Sequence, residues 1–354
     1  MAEPKKQRRS RPPSARAVTG RKAPARKEPA GSTGGEGKDG PDRGTGATAG
    51  SIIVTGICGR MGRLLARSLH RRMSVIGVDR RPFDDRPKDI VHHRIDPRRK
   101  KMRDLFRRGG IRAVVHLGIL HDLRASEKDH HSWNVVAFQK LLECLNQYEV
   151  PKLVVLSSAN VYGPQPDNPQ FLTEEAPLLG AQRFRNIRDL VELDMLAQSF
   201  FWRHPATETV ILRPCHILGA VHNAASNYLR LERPMRLLGF DPMVQVIHER
   251  DVVRALELAL EPGIRGIFNL SGPGELPLSR CLEFLGRRPV PVPGFVAEGL
   301  LDRMWRFRVT SFPPPELDHV RYVCMVDDSR ARRMLGYAPQ FDLAETLRAV
   351  DAEL

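Results

Sequence analysis

Residues 51–62 read SIIVTGICGRMG, and this stretch gives the strongest indication of the fold. The β-branched run at 52–54 is apolar on both faces of a strand, which is typical of a strand buried inside a parallel sheet. Three glycines follow at once, and then apolar residues recur at helical spacing up to Leu69. This order predicts a strand, a glycine turn and a helix.

A strand, a glycine turn and a helix in this order direct backbone N–H groups and the positive end of a helix towards a bound phosphate. Gly56 would permit the tight turn, Gly59 the close approach of a pyrophosphate, and Gly62 the packing of helix against strand. Glycines alone do not distinguish dinucleotide binding from a purely structural turn, because such a turn needs the same backbone freedom. Asp79 ends the next apolar run, 73–78, where a dinucleotide-binding unit carries an acidic residue. The stretch therefore predicts dinucleotide binding.

The formal charge of +15 over 354 residues is unevenly distributed. Residues 1–50 contain 12 Lys+Arg and 5 Asp+Glu, a net charge of +7, which leaves +8 for the other 304 residues. The same segment contains no Leu, Ile, Phe, Tyr or Trp. Such a composition cannot bury enough apolar surface to offset the entropy of ordering the chain. We expect residues 1–49 to form a disordered basic tail.

The basic run at 5–11 suits weak contacts with nucleic acid or another anionic partner, but a tail that only aids solubility is the favoured alternative. The tail has no apolar core of a secretory signal, and no apolar run reaches the roughly 18 residues of a membrane span. The five cysteines, at positions 58, 144, 215, 281 and 324, have neither metal-ligand nor redox spacing. We therefore expect a reduced, cytoplasmic protein without a membrane span.

Strand and helix patterns alternate along the chain as far as residue 215. Such alternation predicts an open parallel sheet that is covered by helices on both faces. Beyond residue 216 the pattern becomes shorter and richer in proline. We expect an α/β protein: a doubly wound parallel sheet over 50–215, and a smaller C-terminal α/β cap over 216–354. Segments of the cap, at about 243–270, are expected to return to the main sheet.

Several segments, taken in order, resemble the extended short-chain dehydrogenase/reductase family, and specifically its NAD-dependent epimerase/dehydratase branch, which acts on nucleotide sugars. The similarity runs through most of residues 51–350. The segments that carry it are Thr55-Gly56-x-x-Gly59-x-x-Gly62, Asp79, Val115-His116-Leu117-Gly118, Asn134-Val135, Ser157-Ser158-Ala159-Asn160-Val161-Tyr162-Gly163, Ile247-His248-x-x-Asp251-Val252 and Arg332-x-x-Leu335-Gly336-Tyr337-x-Pro339.

The resemblance implies a Rossmann-type sheet, NAD as cofactor and a small-molecule substrate such as a nucleotide sugar. It also allows a homodimer. Asp79 would bind the adenosine ribose, whereas Arg80 and Arg81 could instead hold the 2′-phosphate of NADP. Asp96 would lie near the adenine, although it could simply cap a helix, and Asn134 could simply bond local backbone. The cofactor-binding residues implied are Gly56, Gly59, Arg60, Met61, Gly62, Asp79, Arg80, Asp96, Leu117, Gly118, Asn134, Arg188 and Pro214.

The chain departs from the family pattern at the acid/base. The family uses Tyr-x-x-x-Lys on a helix, and the matching residues here are Phe184 and Arg188; no tyrosine occurs between Tyr162 and Tyr228. Phenylalanine has no ionisable group, and an arginine is effectively never deprotonated. Ser158 keeps the position of the catalytic serine, but a cap at the end of the strand explains it equally well, because Ser157 stands beside it. Arg188 could still hold the nicotinamide ribose. Ser158 and Arg188 are therefore the expected catalytic residues.

Histidines offer another source of proton transfer, since their ordinary pKa lies near neutrality. His116 and His216 are candidates on that ground, but a lone histidine at the end of a buried strand is more often a core residue. The pairs at 92–93 and 130–131 have no carboxylate or thiolate at metal-ligand spacing, so no metal site is expected.

Two hypotheses follow from these residues. The chain is either an atypical epimerase, dehydratase or reductase that uses another group or a bound water for proton transfer, or a non-catalytic dinucleotide-binding sensor or scaffold. The retained glycine turn and Ser158 favour the first, and the missing Tyr/Lys pair favours the second.

Overall fold

A computed structural model describes residues 50–120, 126–182, 185–307 and 314–351. The basic tail expected over 1–49, and Phe184, lie outside these described residues. Among these described residues, no helix has the length and hydropathy of a transmembrane span.

Twelve strands and ten α-helices are numbered here in chain order. The strands are β1 Ser51–Thr55, β2 Ser74–Asp79, β3 Val91–Arg94, β4 Ile111–His116, β5 Lys152–Leu156, β6 Glu208–Pro214, β7 His216–Leu218, β8 Met235–Leu237, β9 Met243–His248, β10 Gly266–Leu270, β11 Glu275–Pro277 and β12 Val290–Val292. The helices are α1 Arg60–Leu69, α2 Lys100–Arg107, α3 Glu127–His131, α4 Ala137–Gln147, α5 Arg185–Arg203, α6 Ala224–Arg230, α7 Glu249–Ala259, α8 Leu278–Phe284, α9 Gly294–Arg306 and α10 Leu343–Arg348. A π-helical turn, Ser132–Val136, joins α3 to α4.

The large sheet has seven strands in the order β10-β6-β5-β4-β1-β2-β3. Every pair in it is parallel, as buried runs such as 52–54 require. The strand order reverses direction between β1 and β4, which are neighbours in space but not in sequence. The Rossmann-type, doubly wound α/β fold expected from the sequence is confirmed.

Alternate residues of β1 enter two different cores, because successive side chains of a strand point to opposite faces. Ile52 packs in one core with Leu65 of α1 and Leu256 of α7. Ile53 packs in the other with Phe138 of α4 and Leu193 of α5. Helices therefore cover both faces of the sheet.

The C-terminal part forms two small sheets around a third apolar core. One has the order β11-β9-β7, and the other pairs β12 with β8. Of the segments expected to return to the main sheet, β10 joins it beside β6. β9 instead pairs with β7 and β11. Because β7 begins two residues after β6 ends, the small sheet starts at the carboxyl edge of the large one.

A buried ion pair ties helix α5 to the sheet. Arg213 of β6 and Asp194 of α5 are both 0 % exposed. The guanidinium donates from Nη2 to Asp194 Oδ1 at 2.7 Å and from Nε to Oδ2 at 2.9 Å. Ser157, directly after β5, also donates to Oδ2, at 2.6 Å. A charge pair in this position is tolerated because its polar atoms are satisfied.

The same guanidinium extends the network towards the edge of the sheet. Arg213 Nη1 donates to the hydroxyl of Tyr162 at 2.8 Å. That hydroxyl in turn donates to Asn269 Oδ1 of β10, also at 2.8 Å. The network therefore joins β5, β6, β10 and α5 in the interior.

Breaking this pair should destabilise the fold strongly. Arg213→Met leaves Asp194 as an uncompensated buried charge, and we expect the free energy of unfolding to fall by about 3–5 kcal/mol. The matched control is Arg67→Met, which removes the exposed ion pair with Asp85 and should cost at most about 1 kcal/mol. Urea denaturation measures both, and equal losses in the two variants would contradict the role given to Arg213.

Candidate functional site

The carboxyl ends of β1, β2 and β4 meet at the point where the strand order reverses. In open parallel sheets this reversal opens a crevice in which ligands bind. The glycine turn, Asp79 and the loop that begins at Leu117 follow these three strands, so the fold brings the predicted cofactor residues to one edge.

Two glycines of the turn are required by packing. Gly56 has φ of +70°. A Cβ atom built on it would lie 2.5 Å from the carbonyl oxygen of Leu117 and 2.7 Å from the Cα of Gly118. A Cβ on Gly62 would lie 2.5 Å from the carbonyl oxygen of Gly56. Gly56 thus lets the turn touch the loop after β4, and Gly62 lets α1 start against the turn.

Gly59 differs from the other two because its outer side is comparatively open. A Cβ there would meet the Gly56 oxygen at 3.2 Å and Arg81 Nη2 at 3.6 Å. Gly59 is also the N-cap of α1, and no side chain caps the helix there. The first backbone N–H groups of α1, from Arg60 to Gly62, have no partner within the helix. This cradle of N–H groups can accept an anionic group such as a phosphate.

The carboxylate of Asp79 is buried beside the turn and already has several partners. Its Oδ2 accepts from the backbone N–H of Cys58 at 3.1 Å and from Arg81 Nη2 at 3.0 Å. Its Oδ1 accepts from the backbone N–H of Arg81 at 2.9 Å. Burial raises the pKa of Asp79, but the bonds from Arg81 outweigh burial and hold the pKa below its ordinary value. A ligand hydroxyl at this carboxylate must therefore compete with the exposed guanidinium of Arg81.

Arg60, expected near the pyrophosphate, pairs with Glu249 of α7. Arg60 Nε lies 3.0 Å from Glu249 Oε2. The Glu249 side chain is 4 % exposed, whereas that of Arg60 is 33 % exposed. The pair links the helix after the glycine turn to α7, and it neutralises the charge that Arg60 would otherwise offer to an anion. Met61 beside it is partly buried and packs against the core.

Arg80, Trp133 and Arg98 form a stack next to Asp79. The guanidinium of Arg80 lies 4.7 Å from the centre of the Trp133 ring, and that of Arg98 lies 5.2 Å from it. Arg98 also occupies the carboxylate of Asp96, with Nη2 2.6 Å from Oδ2. Asp96 does not cap α2, whose N-cap is Arg99 without a side-chain cap bond. The stack places two cations and an aromatic ring where the resemblance puts the adenosine.

The loop after β4 is held from the π-helical turn. Trp133 Nε1 donates to the carbonyl of Gly118 at 3.1 Å. Asn134 Oδ1 accepts from the backbone N–H of Leu120 at 2.7 Å, and its Nδ2 donates to the Leu120 carbonyl at 3.2 Å. The amide of Asn134 thus bonds the backbone of Leu120, 14 residues earlier in the chain. Its effect on the crevice is to position Leu117 and Gly118.

The expected catalytic residues Ser158 and Arg188 lie on different elements of the fold. Ser158 caps a short 3₁₀ turn, Ala159–Val161, and its Oγ accepts from the backbone N–H of Asn160 at 3.2 Å. Its hydroxyl proton remains available to a ligand. Arg188 is exposed on the first turns of α5 and makes no hydrogen bond or ion pair with another described residue. Pro214 is buried at the end of β6.

Tyr162 cannot replace the missing phenol. It is 1 % exposed. Burial raises its pKa to about 12, and its hydroxyl is bonded to Arg213 and Asn269.

The two candidate histidines are weak bases in this fold. His116 shares a 2.8 Å hydrogen bond between Nδ1 and Thr55 Oγ1, and its ring packs on Phe138. Burial lowers the pKa of His116 to about 4 and that of His216 to about 4. His216 lies just past the end of β6 with its ring 5.3 Å from that of His319. Both rings are neutral at pH 7, and a base with so low a pKa removes protons poorly.

The sequence did not predict three residues that contact the site or its supporting network from distant parts of the chain: Arg213, Trp133 and Glu249. Arg213 interrupts an apolar strand, and a charge in such a run is a signal of a buried ion pair. Trp133 and Glu249 gave no comparable signal, because their roles depend on residues brought near by the fold.

The family model described as "NAD dependent epimerase/dehydratase family" matches residues 52–271. An uncharacterized protein of Mycobacterium tuberculosis strain H37Rv is 28 % identical over 305 residues, which cover 83 % of this chain and 81 % of the relative. A UDP-glucose 4-epimerase of Dictyostelium discoideum is 29 % identical over 159 residues, which cover 44 % of this chain and 42 % of that protein.

Solved structures share the fold. The UDP-glucose 4-epimerase of Thermotoga maritima with UDP-glucose has a TM-score of 0.65 at 19 % identity, covering 85 % of this chain and 97 % of its own. The UDP-glucuronic acid 4-epimerase of Bacillus cereus in complex with UDP-glucuronic acid and NAD has a TM-score of 0.66 at 18 % identity, covering 84 % and 97 %.

The packing of the turn predicts different costs for two glycine substitutions. Gly62→Ala forces a Cβ to within 2.5 Å of the Gly56 oxygen, and we expect the free energy of unfolding to fall by roughly 1–3 kcal/mol. Gly59→Ala meets the same oxygen at 3.2 Å and should cost below roughly 1 kcal/mol. Urea denaturation of both variants is the measurement; a larger loss for Gly59→Ala would show that the turn is packed differently.

Proposed function

The chain belongs to the NAD dependent epimerase/dehydratase family, and on that premise we propose that it is an NAD-binding, epimerase/dehydratase-like oxidoreductase with an atypical site. One observation carries the cofactor assignment. The open side of Gly59, the uncapped start of α1 and the buried carboxylate of Asp79 lie together at the reversal of strand order. A pyrophosphate and an adjoining ribose present the groups that these features accept.

The residues at this edge fit a dinucleotide. The backbone from Gly59 to Gly62 would hold the pyrophosphate, and Asp79 the adenosine ribose after displacing Arg81. Leu117 and Gly118 would border the cofactor, and the stack on Trp133 would lie at its adenine end. A bound nicotinamide supplies reversible hydride transfer. NADP is the alternative cofactor, since Arg80 and Arg81 are guanidinium groups beside the ribose position.

The remaining chemistry falls to a small set of side chains. The Ser158 hydroxyl is free to donate to a reacting oxygen, because its Oγ uses only an acceptor position for Asn160. Arg188 can donate hydrogen bonds to a ribose or a substrate oxygen but cannot remove a proton. Proton transfer therefore requires another group or a bound water. Without a phenol, a rate lower by about 10²- to 10⁴-fold is expected.

A nucleotide sugar or a related small molecule is the proposed substrate, supported by relatives named UDP-glucose 4-epimerase and UDP-glucuronic acid 4-epimerase. All five cysteines are free thiols. Unpaired thiols are typical of reducing compartments, which supports a cytoplasmic setting.

A non-catalytic dinucleotide sensor or scaffold is the second candidate. The observation that favours it is the pair of Phe184 and Arg188 at the acid/base positions, together with the engaged hydroxyl of Tyr162. Such a protein would keep the cofactor cradle and lose the reaction.

Cofactor choice should depend on the pair Asp79–Arg81. Arg81→Ala frees the carboxylate for a ribose hydroxyl and removes a cation that a 2′-phosphate could use. We expect the ratio of the NADPH Kd to the NADH Kd to rise about tenfold. Asp79→Asn should change the ratio in the opposite direction, and Arg67→Ala on the exposed face of α1 should not change it. Titrations followed by nicotinamide fluorescence measure the ratio; binding of neither dinucleotide below millimolar would refute the cofactor assignment.

Activity separates the two functions. Wild type and the double variant Phe184→Tyr with Arg188→Lys are assayed on UDP-glucose and UDP-glucuronic acid for epimerisation and for release of reduced cofactor. Slow turnover in wild type that Ser158→Ala abolishes would support the enzyme. Turnover that occurs only in the double variant would support the sensor or scaffold, since the cradle would then be intact and only the acid/base missing.

A further inference from the structure

Helix α3 and the first half of α5 bring three metal-ligating side chains together. His131 Nδ1 lies 3.5 Å from Asp189 Oδ1 and 3.8 Å from Glu192 Oε2. One ligand atom from each residue lies within 4.8 Å of the other two. Asp189 and Glu192 are three residues apart on α5, so both carboxylates point to one face of the helix. His131 approaches that face from α3.

These contacts are too long for ordinary hydrogen bonds, which end near 3.2 Å. His131 Nδ1 is itself buried and has no hydrogen-bond partner among the described residues, although the histidine side chain is 42 % exposed. The Asp189 side chain is 8 % exposed. The two carboxylates thus lie at ion-pair distance from the buried ring nitrogen, but neither makes a hydrogen bond with it, which leaves a polar gap between the three side chains.

The size of the gap suits a metal ion. Ligand atoms about 2.1 Å from a tetrahedral zinc ion are about 3.4 Å apart. The two distances from His131 are close to that value, and small side-chain rotations would close the remainder. One nitrogen and two carboxylate oxygens leave at least one position for water.

We propose that His131, Asp189 and Glu192 form a site for a divalent transition-metal cation. Imidazole favours zinc, iron, cobalt or nickel, and carboxylates also accept manganese. Calcium and magnesium prefer sites made wholly of oxygen, so they fit this donor set less well.

The sequence gives no sign of this site, because 58 residues separate His131 from Asp189. Its position gives it a consequence. A cation there joins α3 to α5 one residue beyond Arg188, so it restrains the helix that carries Arg188. The proposal does not depend on which of the two functions the protein performs.

Cobalt(II) is the probe of choice. Cys58 Sγ lies 3.7 Å from His92 Nε2, and a zinc ion could also find that pair. Thiolate ligation of cobalt gives strong near-ultraviolet charge-transfer absorption, whereas nitrogen and oxygen ligands give only weak visible bands. Titration of the full chain with Co²⁺, followed by absorption and calorimetry, therefore distinguishes the two places.

Three variants locate the ion. His131→Ala and Glu192→Gln should each weaken Co²⁺ binding at least tenfold, since each removes a direct ligand. The matched control is His70→Ala: His70 pairs with Asp89 at 2.9 Å, and its described neighbourhood supplies no third ligand, so binding should be unchanged. Glu192→Gln keeps the shape of a side chain that is 41 % exposed, so this variant is expected to fold. It therefore tests the metal site even if His131→Ala does not fold.

The expected result is one cobalt ion per chain with weak visible bands, lost in both ligand variants and kept in His70→Ala. A bound cation should also raise the Tm of wild type and leave that of Glu192→Gln unchanged. The proposal is overturned if Co²⁺ and Mn²⁺ do not bind below millimolar, if binding survives in both ligand variants, or if the spectrum is that of a thiolate. Each of these results leaves the cofactor titrations unaffected.

Discussion

The buried ion pair between Arg213 and Asp194 joins helix α5 to the large sheet, and its two charges must be compensated in the interior. Taking two charges out of water is costly, and the cost is recovered only when the geometry is good and the remaining polar atoms are bonded. Here both oxygens of Asp194 accept from Arg213, and Ser157 and Tyr162 complete the network. Because α5 supplies the carboxylate and β6 the guanidinium, the pair fixes against β6 the helix that carries Arg188 and Asp189.

The glycine turn meets two demands with different residues. Gly56 and Gly62 have no room for a Cβ, so they serve the close approach of turn, loop and helix. Gly59 has room on its outer side, and there the uncapped N–H groups of α1 are exposed to a ligand. The packing of Gly56 and Gly62 therefore shapes the turn, and the backbone N–H groups beside Gly59 are the groups that remain open to a ligand. From this division we expect stability to depend on Gly56 and Gly62, and ligand binding to depend on the open side of Gly59.

The crevice combines a complete cradle with an incomplete set of proton donors and acceptors. Asp79 is buried, and the bonds from Arg81 hold the pKa of its carboxylate below the ordinary value. At the other end, Ser158 retains a free hydroxyl proton, while burial keeps His116 neutral and a poor base. The glycine turn and Asp79 thus provide groups that a dinucleotide can bind.

Features that depend on near neighbours along the chain could be predicted from the sequence. The run at 52–54, the three glycines, the alternation of strands and helices and the family resemblance were enough to predict a Rossmann-type sheet, and Phe184 and Arg188 were found by counting from Tyr162. The tertiary structure alone decided which distant side chains meet. In the folded chain Arg81 pairs with Asp79, the Asn134 amide bonds the backbone of Leu120, and β9 pairs with β7. His131 lies close to Asp189 and Glu192. The physical reason is that strand and helix patterns follow from local backbone geometry, whereas these contacts follow from the register and packing of elements far apart in sequence.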